Sequence, residues 1–250
     1  MSALATSSPL TAAFKSLGAL FLFILFGLFL DSSHMVDYSK NGQEISNICM
    51  LLVFGFTLYQ VSRKNRELMM YAVLIAFAGE YLFSIALGMY TYRLENVPHY
   101  IPPGHALVYI GVLYFSKAAA IRKNVKRIEK FFTIAIVLYA VYFLIFKGDV
   151  FGFSLTILTL YFLRTRPKER LFYLTMYIAV AYLEIIGTHF LNWKWPATAF
   201  NIFSFLPSAN PPSGISFFYF GLDLGCLWLY KQRHKIAWKR MKNIRKINLK

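Results

Sequence analysis

The sequence predicts an all-α fold, a polytopic membrane bundle of about eight transmembrane helices built as two tandem four-helix repeats of the same orientation. Three observations predict it. The 250 residues are 58% hydrophobic, with a mean hydropathy of +0.50, above the roughly 45–50% apolar content of soluble domains. Apolar runs of about 20 residues recur along the whole length, the signature of membrane-spanning helices. Features of the first half also return, in the same order, in the second.

The spans are expected at 12–30, 45–61, 68–90, 103–121, 131–147, 150–163, 171–191 and 213–230, the sixth being short. Charge separates the loops into two sets. Of the 27 Lys and Arg, all but Lys40, Arg93, Lys117, Lys147 and Lys194 fall in segments 1–15, 62–67, 122–130, 164–170 and 231–250. The positive-inside rule places those segments, and both termini, in the cytoplasm of a cell (inner) membrane protein. An even number of spans requires the same. No small-residue cleavage site follows Leu30, so the first apolar run reads as a retained helix.

The tail KQRHKIAWKRMKNIRKINLK reads as a basic strip lying on anionic lipid. The net charge of +16 therefore implies a membrane surface and no nucleic acid. Cys49 and Cys226 both lie inside spans, which suits small apolar packing and no disulfide framework.

The repeat rests on paired features. SRKNREL at 62–68 leads into a span with Glu80, and RTRPKERL at 164–171 leads into a span with Glu184. Each span ends in two aromatics spaced by one residue, Tyr90 and Tyr92, then Trp193 and Trp195. Each outer loop closes on a double proline, Pro102-Pro103 and Pro211-Pro212. Residues 1–130 form the first repeat, 131–230 the second and 231–250 the tail. Even-numbered repeats share one orientation, which predicts a pseudo-twofold axis along the membrane normal and a site between the halves.

Ionisable groups in hydrocarbon are functional candidates by default. At 1.5 Å per residue, Glu80 lies roughly 18 Å into its span and Glu184 roughly 20 Å. Ser84 and Thr188 follow at i+4, on the same helix face, where a hydroxyl can donate to the carboxylate. Asp223 reaches a similar depth from the outer side, and His105 and His189 lie above the acids. His189 is about 140° around the helix from Glu184, so the two need not meet. Asn192 joins the four aromatics at the outer level, where Tyr and Trp are enriched whatever the function. The expected catalytic residues are therefore Glu80, Glu184, Asp223, His105 and His189. The expected substrate-binding residues are Tyr90, Tyr92, Ser84, Thr188, Asn192, Trp193 and Trp195. No phosphate-binding loop, dinucleotide fingerprint, HExxH or serine elbow occurs, so no cofactor and no metal are expected.

The stretch from Glu80 through ALGMYTYRLENVP resembles the E…G-x-Y-x-Y…P pattern of membrane carotenoid biosynthesis proteins that include the bisanhydrobacterioruberin hydratases. Trp193-Lys194-Trp195 through Pro207 and Asn210 resembles the W-x-W…P-x-x-N segment of that family. The resemblance implies acid-driven chemistry on a polyisoprenoid double bond. Glu80 or Glu184 would supply the proton, the four aromatics would line a cation pocket, and His105 or His189 would position water.

The residues thus point to a membrane enzyme, a hydratase (lyase) or isomerase, acting on a lipophilic small molecule or lipid between the repeats. A proton-coupled transporter using the three acids as a relay, or a non-catalytic lipid-binding or assembly protein, are the competing readings.

Overall fold

The computed structural model describes residues 9–36, 38, 40–236, 238 and 240. The fold is almost entirely helical. In chain order the helices are α1 (Pro9–Leu30), α2 (Gly42–Gln60), α3 (Arg63–Glu80), α4 (Ile101–Lys117), α5 (Ala119–Lys123), α6 (Val125–Lys147), α7 (Val150–Arg164), α8 (Arg170–His189) and α9 (Ser216–Arg233). Each apolar segment expected to form a span is largely helical, but the third leaves the helix after Ala86 and the fourth breaks at Ala118. Among the described residues, four stretches are long and apolar enough to cross a membrane: Pro9–Leu30, Arg63–Ala86, Val125–Lys147 and Arg170–His189.

Two elements depart from the expectation. The helix of the fifth segment begins at Val125, so a boundary at 130/131 falls inside α6. Its first turns carry Lys126, Arg127 and Lys130, whose exposed charges extend the helix past the apolar stretch. The short helix α5 was not expected. It forms after Ala118, whose extended backbone ends α4.

Local chemistry sets the ends. Ser62 caps α3 by accepting from the Asn65 amide, and Asp149 caps α7 by accepting from the Gly152 amide. Pro102 and Pro103 sit in the first turn of α4, where a missing N–H costs nothing. Gly148 ends α6 in the left-handed conformation that glycine adopts without strain.

Helices α3, α4, α8 and α9 form a closed ring. Each packs against the next: α3 on α4, α4 on α8, α8 on α9 and α9 on α3. Around the ring, α1 lies against α4 and α8, α2 against α4, α6 against α8, and α7 against α9. The deepest core lies on α8 and α4, at Tyr173, Leu174, Tyr177, Val180 and Val112. The peripheral helices bury narrow stripes, Leu17, Ile24 and Leu28 on α1, and leave large apolar side chains on the outer surface. Leucine and phenylalanine outside a bundle suit contact with lipid.

The end of the ring that carries the helix-linking loops after α3 and α8, here the upper end, is tied by short strands. β1 (Thr91–Tyr92) pairs antiparallel with β2 (Trp193–Lys194), placing Thr91 opposite Lys194 and Tyr92 opposite Trp193. A second hairpin, β3 (Thr198–Ala199) with β4 (Phe203–Pro207), follows β2. β1 and β2 are entered alike. Gly88 and Leu191, each two residues before the first aromatic, both have positive φ, 58° and 59°. That conformation is rare for leucine. The chain from Glu80 to Tyr90 is one residue longer than that from Glu184 to Trp193. A six-residue π-helical turn, Tyr81–Ala86, absorbs the extra residue. The Met89 amide then bonds the Phe83 carbonyl as the Asn192 amide bonds Gly187.

Two buried aspartates hold the upper loops. Asp31, just past α1, accepts from Arg93 and from the Tyr100 hydroxyl at 2.8 Å. Asp149, just past α6, accepts from the Ala209 amide at 3.1 Å and the Ser213 amide at 2.7 Å. Tyr100 and Ala209 each stand two residues before a double proline. Burial, with the Asp31 carboxylate beside it, pushes the Tyr100 hydroxyl well above the usual phenol range, so it remains a donor.

Candidate functional site

Glu80 is the last residue of α3, and its side chain turns into the ring. Left-handed Gly88 sends the chain back over it, so both following tyrosines point down. Tyr90 and Tyr92 donate to Glu80 Oε2 at 2.5 and 2.6 Å, and His105 Nε2 lies 2.9 Å from Oε1. Glu184, on α8, is held by the second aromatic pair. The indole N–H groups of Trp193 and Trp195 both donate to its Oε2, at 2.8 and 3.0 Å. Tyr219 of α9 lies within electrostatic range of both Glu184 and Glu80. A buried carboxyl with this many donors avoids the penalty of an unpartnered one.

Each ring helix thus supplies one polar group: Glu80 from α3, His105 from α4, Glu184 from α8 and Tyr219 from α9. The His105 and Tyr219 rings stack with centroids 4.8 Å apart. His105 is bonded to Glu80 and Tyr219 lies within electrostatic range of Glu184, so the stack stands between the two acids. The aromatic roof interlocks in the same way. Tyr90 lies 4.7 Å from Trp195, and Tyr92 lies 6.1 Å from Trp193 in an edge-on contact. Trp193 reaches Glu184 because it lies flat on α8 at Gly187, where any Cβ would strike the indole.

Glu80, Glu184, His105, Tyr219 and the four aromatics line one cavity of about 390 Å³, within the size range of small-molecule sites. The remaining wall is chiefly apolar, from α1, α2, α3 and α9. No group of three or more His, Cys, Asp or Glu among the described residues is placed to hold a metal ion. No family model matches the chain, and neither does any curated protein or solved structure.

The other expected site residues lie elsewhere. Ser84 donates to the Tyr90 carbonyl at 3.1 Å, and Thr188 donates to the Glu184 carbonyl at 2.7 Å, so neither hydroxyl serves a carboxylate. The backbone carbonyl four residues back competes for a helical Thr hydroxyl and wins here. His189 is exposed at the end of α8, against the Phe190 ring and away from the cavity. Asn192 is a strut: its side-chain amide donates to the Leu28 carbonyl, and its own carbonyl accepts from Arg93. Asp223 is buried one turn below Tyr219 but does not line the cavity. Neither of its carboxyl oxygens has a hydrogen-bond partner among the described residues, and Tyr109, Tyr173 and Cys226 lie within electrostatic range.

Sequence reasoning missed Tyr219, Asp31, Arg93, Tyr100 and Asp149. A signal existed for the aspartates, since each stands within two residues of the end of the first apolar run of its half. Tyr219 stands in the phenylalanine run SFFYF, where a lone hydroxyl among Phe is the only mark.

Proposed function

We propose that this chain is a membrane enzyme that moves protons at a carbon–carbon double bond of a lipophilic substrate. One observation carries the reading. Two buried carboxyl groups face a single, mostly apolar cavity and are held by different donors.

Glu184 is the acid. Both indoles occupy Oε2, which leaves Oε1 to carry a proton. Delivery to one alkene carbon forms a C–H bond, breaks the π bond and leaves a cation on the neighbouring carbon. The faces of Tyr90 and Trp195 stabilise that cation, by up to about 2 kcal/mol in a dry site. Glu80, oriented by Tyr90, Tyr92 and His105, is the base. Removal of a proton from the adjacent carbon restores the π bond one position along, which is isomerisation. Removal of a proton from a water molecule that attacks the cation is hydration. Either outcome leaves Glu80 protonated and Glu184 ionised, and the stacked His105 and Tyr219 rings between them offer the route for resetting the pair. A polyisoprenoid, the substrate class implied by the carotenoid-family resemblance, has alkenes that give tertiary cations.

We further propose eight membrane crossings in two repeats, with the upper end outside and both termini in the cytoplasm. The shared left-handed entry to β1 and β2, the aspartate clamps and the four-membered ring support the repeat. The distribution of Lys and Arg supports the orientation. The basic tail, most of it outside the described residues, would lie on anionic lipid.

The test is lipid analysis of membranes expressing wild type, Glu80→Gln and Glu184→Gln beside a supplied polyisoprenoid pool. A new isomer or hydrated product in wild type alone, with all three proteins folded, supports the reading. Identical extracts from all three overturn it.

A further inference from the structure

The cavity holding the two carboxylates is closed above and open at its flanks. Its upper wall is Tyr92, Trp193 and Trp195, all buried, under a β1–β2 ladder whose loop is fixed by the Arg93–Asp31 ion pair. Its side wall differs. Leu82, on the π-helical turn, and Phe26, on α1, both line the cavity yet are 49% and 57% exposed on the outside of the bundle. Ala78 and Gly221, on facing sides of the α3–α9 seam, also line it and are exposed. All four lie in apolar helix segments. The flank openings therefore face hydrocarbon, and a ligand passing through them need never cross water.

Charge narrows the occupant. No Lys or Arg among the described residues lines the cavity, and its fixed ionisable groups include two carboxyls. A phosphate or carboxylate headgroup brought inside would meet the Glu80 carboxylate and find no Lys or Arg to pair with among the described lining residues.

Building on the proposed chemistry, we infer that the cavity is loaded sideways from the bilayer past Leu82. The ligand is an uncharged lipid longer than the cavity. Its reacting segment lies between Glu80 and Glu184, while the rest of its chain leaves along Phe26 or the α3–α9 seam and stays in lipid. Leu82 is the lip of this portal, on the π-helical turn that follows α3 and departs from regular α-helical geometry.

The test is photolabelling of the full chain in phosphatidylcholine vesicles with two probes, an uncharged long-chain alkyl diazirine and the same chain ending in a phosphate. Labelled peptides are mapped by mass spectrometry. The uncharged probe is expected to label peptides carrying Met50, Leu82 and Glu80, and the phosphate probe to label the Glu80 peptide at least about tenfold less. Leu82→Trp narrows the lip and is expected to lower cavity labelling by about tenfold, a typical steric discrimination. Leu82→Ala is expected to raise it, which keeps the test decisive should the tryptophan variant fold poorly. His189→Ala, outside the cavity, is expected to label as wild type. Equal labelling by both probes, or labelling indifferent to residue 82, overturns the inference. Glu184→Gln separates the two proposals, because labelling needs no turnover. Flank labelling in wild type and Glu184→Gln without turnover of any lipid would sink the chemistry and leave the portal standing. Turnover that persists unchanged in Leu82→Trp would do the reverse.

Discussion

Thr91 faces Lys194 across the β1–β2 ladder, and each is the middle residue of an aromatic triplet, Tyr90-Thr91-Tyr92 and Trp193-Lys194-Trp195. An antiparallel pair centred on two matching positions makes the flanking aromatics exchange neighbours, Tyr92 with Trp193 and Tyr90 with Trp195. The same centring sends each aromatic pair down onto the carboxylate of its own half. The ladder is therefore the device that sets both acids in one cavity, and its failure should disturb both.

Gly187→Ala tests how Trp193 is seated. The added methyl group would lie where the indole now packs, so the ring must leave α8 and lose Glu184. We predict overpacking costs of about 1–3 kcal/mol, a changed tryptophan emission spectrum and loss of any Glu184-dependent activity. Gly221→Ala, at an open position with nothing near its Cβ, should fold as wild type.

Tyr90→Phe and Tyr92→Phe each remove one donor from Glu80 Oε2. Each should cost about 1–3 kcal/mol, the range for depriving a buried acceptor. Both bonds converge on one oxygen, so the double variant should depart from additivity, and a double-mutant cycle in thermal or denaturant unfolding measures the coupling.

The upper clamp gives a pH prediction. Tyr100 has a raised pKa in the folded chain, whereas an unfolded tyrosine titrates near about 10. Below that value both states keep the proton and stability is unaffected. Above it the unfolded chain loses the proton first, so stability falls as pH rises. Tyr100→Phe should flatten this alkaline loss while lowering stability at neutral pH, because Asp31 loses a donor. Arg93→Ala leaves the Asp31 carboxyl with less compensation and should cost up to about 3–5 kcal/mol, the scale for breaking a buried pair. Unfolding midpoints between neutral and alkaline pH check both.

Asp223 should be a liability for stability. Both carboxyl oxygens are buried with no hydrogen-bond partner among the described residues. Asp223→Val should raise the unfolding midpoint, consistent with removing a desolvation penalty of about 1–3 kcal/mol, and should leave the proposed chemistry intact. Lost turnover in a stabilised variant would bring Asp223 into the mechanism.

The helices were the most legible part of the sequence, because hydrocarbon length and composition leave little choice of structure. Glu80 and Glu184 stood out for the same reason, being charges in apolar runs. What the sequence concealed was the path of the chain after each helix. Nothing in Gly88 and Leu191 announces matching left-handed turns, and Leu191 argues against one. Without those turns, Tyr90, Tyr92, Trp193 and Trp195 read as an interfacial belt rather than as donors folded back onto acids. The i+4 hydroxyls misled in the opposite direction. Ser84 and Thr188 share a face with the glutamates, but a nearby carbonyl claims each of them. His189 is five residues from Glu184, and helical geometry turns it outward. Tyr219 acquires meaning only from the ring, which brings α9 beside α3.

Hydrogen exchange at carbon tests the proposed chemistry most directly. Membranes holding the full chain and a neutral polyisoprenoid, incubated in deuterated water, should yield lipid carrying deuterium at one site beside a shifted or hydrated double bond, with Glu184→Gln and Glu80→Gln giving none. Deuterium incorporation that is absent in wild type, or that survives loss of both carboxyl groups, would contradict a proton passed between Glu184 and Glu80.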